Sequence, residues 1–270
     1  MRIVRFSDAD GEIHLGVDQG DGQARVIAGG LFESPGGPKT TDQVAKIEKL
    51  LAPVQPADIY CIGLNYARHA KETGKTVGDH PVLFMKPSTA VQDPGQPIRI
   101  PRSQMDGPEV DIEAELAVII GREGRDISPD QALDHVLGYT CANDVSARRW
   151  QKQGGGGQWI RGKGFDTFCP LGPAIVTSDE LVDPQDLSIR SVLNGETMQS
   201  SHTGDMIWPV AEIIAFISRD TTLRPGTVIL TGTPEGVGVA RDPQVFLKPG
   251  DDVKIEIDTI GTLANPVVAG

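Results

Sequence analysis

A chain of 270 residues has room for one large domain, or for a large domain with a small companion, and its 39% apolar content matches an ordinary soluble globular protein. The formal net charge of -12 argues against non-specific binding to nucleic acid or to an anionic membrane surface. The same charge requires any site for an anionic ligand to be made locally positive, by a metal or by placed Arg and Lys.

The first residues, 1–6, read as a strand rather than a signal peptide. Further strands are predicted over 12–17 and 24–27, separated by Asp10-Gly11 and the turn-rich run 18–22. After the Gly/Pro-rich stretch 34–38, Val44, Ile47, Leu50 and Leu51 predict a helix over 41–51. The run 52–57 contains two prolines and marks a boundary: a small N-terminal domain over 1–55 and a main domain over 56–270. In the main domain, β runs fall at 59–63, 82–85, 112–120, 174–176, 187–193, 228–231 and 253–257. They do not alternate regularly with helices, which argues against a doubly wound parallel sheet. Helices are predicted at three places. One starts at Ser128-Pro129-Asp130-Gln131, a capping box, and stops at Gly138. A short one spans 146–153, and a third spans 205–219 with Ile207, Val210, Ile213, Ile214 and Ile217 on one face. The expected class is mostly β with a few helices, α+β. No apolar run approaches the roughly 20 residues of a membrane-spanning helix. The three cysteines, Cys61, Cys141 and Cys169, lack C-x-x-C spacing, which argues against a disulfide framework or a zinc site and fits a reducing cytoplasm.

The acids carry the most information. Strand periodicity places Glu113 and Glu115 on the same side of 112–120, close enough to repel. Two like charges are costly to bury unless a cation or a proton compensates. The plain alternative is a solvated strand face. Asp144 adds a third carboxylate, and with no thiolate nearby the set suits a hard divalent ion, Mg²⁺, Mn²⁺ or Ca²⁺. If the turn is helical from Asp144 onward, Asp144, Arg148 and Gln151 lie along one face and offer an acid, a guanidinium and an amide together. Asn65 could cap a short helix that Gly74 ends, and His69 and Glu72 would share its face. A Glu that orients a His makes a competent general base; a surface pair is the bland reading. The polar stretch 75–79 would let this segment move as a lid. Gly162-Lys163-Gly164 fails the phosphate-loop order and leaves Lys163 as a charge for the site. Thr233 follows an apolar strand in a glycine-rich turn, where its hydroxyl could approach a ligand.

Together these pieces resemble the fumarylacetoacetate hydrolase family. The matching elements are Gly63-Leu64-Asn65-Tyr66 with His69 and Glu72, Lys86-Pro87-Ser88, Glu113-Ala114-Glu115-Leu116, Asn143-Asp144-Val145-Ser146-Ala147-Arg148, Gly162-Lys163-Gly164-Phe165-Asp166-Thr167 and Thr231-Gly232-Thr233-Pro234. They fall in order across most of residues 57–260. The resemblance implies a β-roll or sandwich main domain, a small N-terminal domain and a homodimer. It implies Mg²⁺, Mn²⁺ or Ca²⁺ on Glu113, Glu115 and Asp144, a catalytic lid dyad of His69 and Glu72, and substrate contacts from Lys163, Arg148, Gln151 and Thr233. Some relatives carry Arg where this chain has Leu64. The glycine run before Gln158-Trp159 is similar to the branch acting on diketo-deoxy sugar acids.

The expected activity is metal-dependent hydrolysis of a C–C bond in a 2,4-diketo acid, an acylpyruvate or a diketo-deoxy sugar acid, giving pyruvate and a carboxylic acid. In that scheme His69 deprotonates a water and Lys163 stabilises the negative charge that develops. Arg148, Gln151 and Thr233 hold substrate oxygens. Oxaloacetate decarboxylation, isomerisation of an unsaturated dioic acid, and a non-catalytic metal-binding oligomer are the alternatives. The expected partner is a small anionic 2-oxo acid, with no nucleic acid and no membrane.

Overall fold

The computed structural model describes residues 1–33, 37–104, 109–152 and 157–270. Most of the Gly/Pro-rich stretch 34–38, Gln153 at the end of one expected helix, and Gly154, Gly155 and Gly156 of the glycine run lie outside the described residues. Strands dominate, with four short α-helices among the described residues, as the α+β expectation required.

One twelve-stranded sheet holds most of the strands. Its path is Lys39–Lys46, Gln23–Ala28, Ile13–Asp18, Arg2–Ser7, Cys169–Thr177, Val136–Asn143, Ala114–Ile120, Val228–Leu230, Ile59–Gly63 and Val82–Met85. Off this path, Lys49–Leu51 pairs with Arg2–Ser7 and Val91–Gln92 pairs with Cys169–Thr177. The first fifty residues therefore extend the main sheet, because Arg2 and Ile3 pair with Val176 and Ile175. A second sheet of five strands orders Glu196–His202, Ser188–Leu193, Asp252–Ile257, Gly261–Ala269 and Ile98–Ile100.

The strand Ala114–Ile120 shows why the molecule folds in layers. Ile112, Ala114, Leu116, Val118 and Ile120 join one buried cluster that also holds Ile189, Ile255, Ile257 and Leu263 of the second sheet. Ala117 and Ile119 join another, with Cys61, Leu171 and Ile175. Alternation divides the strand between two cores, so it is buried on both faces. The helix Val210–Ser218 packs Val210, Ile213, Ile214 and Ile217 of the predicted face into the first cluster, but it is shorter than the expected 205–219, because Pro209 caps its start and leaves Ile207 outside.

Three helical expectations fail. Residues 41–51 form strands, because Lys39–Lys46 pairs with Gln23–Ala28 and the cross-strand ladder overrides the helical spacing. The capping box at Ser128 leads only to a 3-10 turn, Ala132–His135; Val136–Asn143 is then an interior strand, with Gly138 in its body rather than at a helix stop. Ser146–Ala147 pairs with Val110–Asp111, which delays the next helix to Arg148–Lys152. Asp144 is thus outside the helix that carries Arg148 and Gln151.

Candidate metal and substrate site

Strand register builds the site. Ala114 pairs with Asn143, which sets Glu113 against Asp144, and the Asp144 N–H donates to the Glu113 carbonyl at 3.0 Å. Glu115 follows two residues on, facing the same side. Ligand oxygens of Glu113, Glu115 and Asp144 all lie within 4.8 Å of one another, and all three residues are buried.

Cations surround two of these acids. Lys163 Nζ donates to Glu113 Oε2 at 2.8 Å, to Asp144 Oδ2 at 2.6 Å and to Ser146 Oγ at 2.8 Å. Lys86, equally buried, donates to Asp144 Oδ1 and to the Val145 carbonyl. Arg148 Nη1 lies 2.7 Å from Glu113 Oε1 and donates to Gln151 Oε1 at 3.0 Å, while its Nε donates to Asp111 Oδ2 at 2.9 Å. Burial opposes ionisation of Glu113, but Lys163 and Arg148 outweigh it and hold the carboxyl well below the usual range. Burial also opposes a charged Lys163, yet Asp144 and Glu113 hold its ammonium above the usual lysine range. Lys163 is therefore a fixed cation and hydrogen-bond donor.

Glu115 is different. Its Oε2 accepts the Gly232 N–H at 2.7 Å. Burial, then the Asp144 and Glu113 carboxylates, push it well above the usual carboxylate range. A cation among the three acids would relieve that repulsion, and three hard oxygen donors suit a divalent ion. The residues present fit such a group. The Gly232 donor depends on glycine: φ is +99°, and a Cβ there would meet the Asn65 Cβ at 2.7 Å.

A cavity of about 300 Å³ meets the triad at Glu113. Glu113, Arg148, Gln151, Lys163 and Thr233 line it, with His69 and Glu72. Every expected substrate or catalytic residue thus lines one space; of the three acids Glu113 lines it, and Glu115 and Asp144 do not. Leu64, an apolar side chain, lines it too. His69 and Glu72 belong to the helix Ala67–Glu72. His69 Nδ1 is 3.1 Å from Glu72 Oε2, and Glu72 Oε1 accepts the Gly236 N–H at 2.9 Å. The pair is built into the site rather than loose on the surface. Asn65 does not cap this helix. Its amide donates instead to the Thr231 and Trp208 carbonyls, at 2.7 and 3.1 Å, tying the helix entry to the loop that holds Gly232.

Sequence reasoning gave no site role to Asp111, Gln199 or Lys86, although Lys86 stands in one of the matching elements. Asp111 accepts the N–H groups of Gly238 and Val239 and orients Arg148. Gln199 donates to Thr233 Oγ1 at 2.7 Å and accepts from the Ala114 N–H at 2.9 Å. Asp111 shares the face of Glu113 and Glu115 by alternation, a signal that was present; Gln199 comes from the other sheet and has no local signature.

A family model described as fumarylacetoacetate (FAA) hydrolase C-terminal matches residues 58–268. The chain belongs to the fumarylacetoacetate hydrolase family. A second model, Rv2993c-like, N-terminal, matches residues 1–53. Among the family's members, the mitochondrial oxaloacetate tautomerase of Xenopus laevis is 51% identical over 220 residues, 81% of this chain and 68% of that protein. A Mycobacterium marinum structure described as 2-hydroxyhepta-2,4-diene-1,7-dioate isomerase is 41% identical with a TM-score of 0.83, covering 100% of this chain and 98% of that one. A Mycobacterium smegmatis structure described as 5-carboxymethyl-2-hydroxymuconate delta-isomerase is 39% identical with a TM-score of 0.85, covering 100% of both. Among the described residues no helix is long and apolar enough to cross a membrane.

Proposed function

We propose that the chain catalyses proton transfer within a 2-oxo dicarboxylic acid, interconverting its keto and enol forms, with oxaloacetate as the first substrate to test. The observation that carries this reading is the buried acid triad joined through Glu113 to a cavity that presents fixed cations and the His69–Glu72 pair together. The tautomerase and isomerase names of the relatives support it, since both reactions shift a proton next to a carbonyl. A divalent ion held by Glu113, Glu115 and Asp144 would supply Lewis acidity toward the oxygens of the 2-oxo acid. His69, oriented through Nδ1 by Glu72, removes the proton from the carbon beside the keto group. Negative charge then develops on the keto oxygen, and the Lys163 ammonium stabilises it. The imidazolium returns the proton to that oxygen, which completes the enol. Arg148 and Gln151, locked together at 3.0 Å, hold the substrate carboxylate, and Thr233 donates a further hydrogen bond.

C–C hydrolysis of a 2,4-diketo acid is the second reading. Glu72 occupies His69 Nδ1, and among the described residues Nε2 has no protein partner, which suits activation of a water. Assays on oxaloacetate, following keto–enol conversion and decarboxylation separately, and on acylpyruvates, with and without Mg²⁺, divide these outcomes. Accelerated ketonisation of oxaloacetate supports the first reading; release of pyruvate from acylpyruvates alone supports the second. A homodimer is the proposed assembly, supported by exposed Val82, Leu83 and Ile160 near the open sheet edge, and sedimentation tests it.

A further inference from the structure

We propose that Lys75 and Lys152 form a distal-anion subsite at the cavity rim, where they take the second carboxylate of a dicarboxylic 2-oxo acid. The proposal deepens the proton-transfer reading and rests on it for the end of the substrate that the deeper residues hold.

Four cations line the cavity: Arg148, Lys163, Lys75 and Lys152. The first two are already engaged by acids, Arg148 by Asp111 and Glu113, Lys163 by Glu113 and Asp144. Among the described residues neither Lys75 nor Lys152 has an ion-pair partner. In a chain of net charge -12, two neighbouring cations with no ion-pair partner among the described residues are out of character.

The neighbouring acids do not neutralise them. Both oxygens of Glu72 are taken, by His69 and by the Gly236 N–H. Asp111 is filled by Arg148, Gly238 and Val239. Glu109 and Asp111 attract Lys152, but burial, Arg148 and Lys75 outweigh them and lower its pKa. An anion between the two ammonium groups would relieve their repulsion.

The backbone fixes where Lys75 stands. The helix Ala67–Glu72 ends with the Lys75 N–H donating to the Ala70 carbonyl at 3.1 Å and the Gly74 N–H donating to Lys71 at 3.2 Å. Gly74 has φ +63°, so this is a Schellman stop, and Lys75 just after it lines the cavity. Lys75 Nζ lies 5.8 Å from the centre of the Trp159 ring, which packs edge-on against Phe84 at 5.2 Å. Lys152 is the last residue of the helix that carries Arg148 and Gln151, one turn beyond Arg148. Both lysines are thus held beside the residues assigned to the first carboxylate.

Titration calorimetry of the Mg²⁺-loaded protein with 2-oxoglutarate and 2-oxovalerate tests this, because the two acids match in chain length and differ in the second carboxylate. The expected result is a preference of at least about tenfold for 2-oxoglutarate. It falls to near unity in the double variant Lys75→Gln, Lys152→Gln, while 2-oxovalerate affinity stays within about twofold. Lys75→Arg with Lys152→Arg retains the preference. No preference in the unaltered protein, no binding of either acid, or equal loss for both acids in the Gln variant overturns the proposal. If oxaloacetate is tautomerised and the preference is absent, only the subsite fails. If the preference is present without turnover, the proton-transfer reading fails and the subsite stands.

Discussion

The carboxylates of Glu113 and Asp144 share one ammonium, with Lys163 Nζ 2.8 Å from the first and 2.6 Å from the second. Their backbones are also joined, by the Asp144 N–H on the Glu113 carbonyl. The chemistry of the site is thus built into the strand pairing at the centre of the large sheet, and changes at the acids report on both stability and function.

Glu115→Gln separates those two effects. The amide keeps the shape and removes the anion that burial and two neighbouring carboxylates disfavour. Metal affinity should fall by more than the roughly 10–100-fold typical of residues behind a ligand shell. The metal-free protein should melt at a higher temperature than the unaltered chain. Calorimetric titration with Mn²⁺ and thermal melts in chelator check both; undiminished affinity would remove Glu115 from the ligand set.

His69→Gln should lower turnover by about 10²–10⁴-fold, the usual worth of a general base. Metal stoichiometry should be unchanged, because His69 touches Glu72 rather than the triad. Steady-state rates paired with metal analysis of the same sample decide it. Full activity in this variant would dismiss the dyad from the mechanism.

Lys86→Met tests the buried pair behind Asp144. Both side chains are fully buried, so removing the cation leaves a charge that one lysine must compensate alone. Loss of one partner of such a pair costs about 3–5 kcal/mol. Urea unfolding of the metal-free protein should show that loss, with part of it restored by Mg²⁺. A variant as stable as the parent would mean that Lys163 alone satisfies Asp144.

Burial pushes the Cys141 and Cys169 thiols up to about 12, against about 8.5 for an exposed thiol. Below about pH 8.5 both states are protonated and the full stability is present. Above it the unfolded chain loses protons that the folded chain keeps, so stability falls, by about 1.4 kcal/mol per pH unit for each thiol, until the folded thiols titrate. Urea unfolding between pH 8 and 10 should therefore show a shallower decline in Cys141→Ala than in the unaltered protein. Equal slopes would contradict the burial argument.

Much of the site was legible in the sequence because its pieces are local. Period-two alternation placed Glu113 and Glu115 together and divided Ala114–Ile120 between two cores. A three-residue spacing put His69 beside Glu72, and Gly74 ended their helix. Where local signals competed with sheet pairing, pairing won. Val44 and Ile47 fit a helix, yet Lys39–Lys46 found a partner strand. The capping box at Ser128 could not hold Val136–Asn143 out of the sheet interior.

The sequence by itself determined which side chains carry the chemistry and the short-range faces they share, since 3.6- and 2-residue periods follow from backbone geometry alone. Only the tertiary structure decided how they meet. The Ala114–Asn143 register carries Asp144 to Glu113 across thirty residues of chain, and Gln199 reaches Thr233 from a different sheet. Such meetings depend on the balance of loop-closure entropy against burial of both cores, and no stretch of neighbouring residues contains that balance.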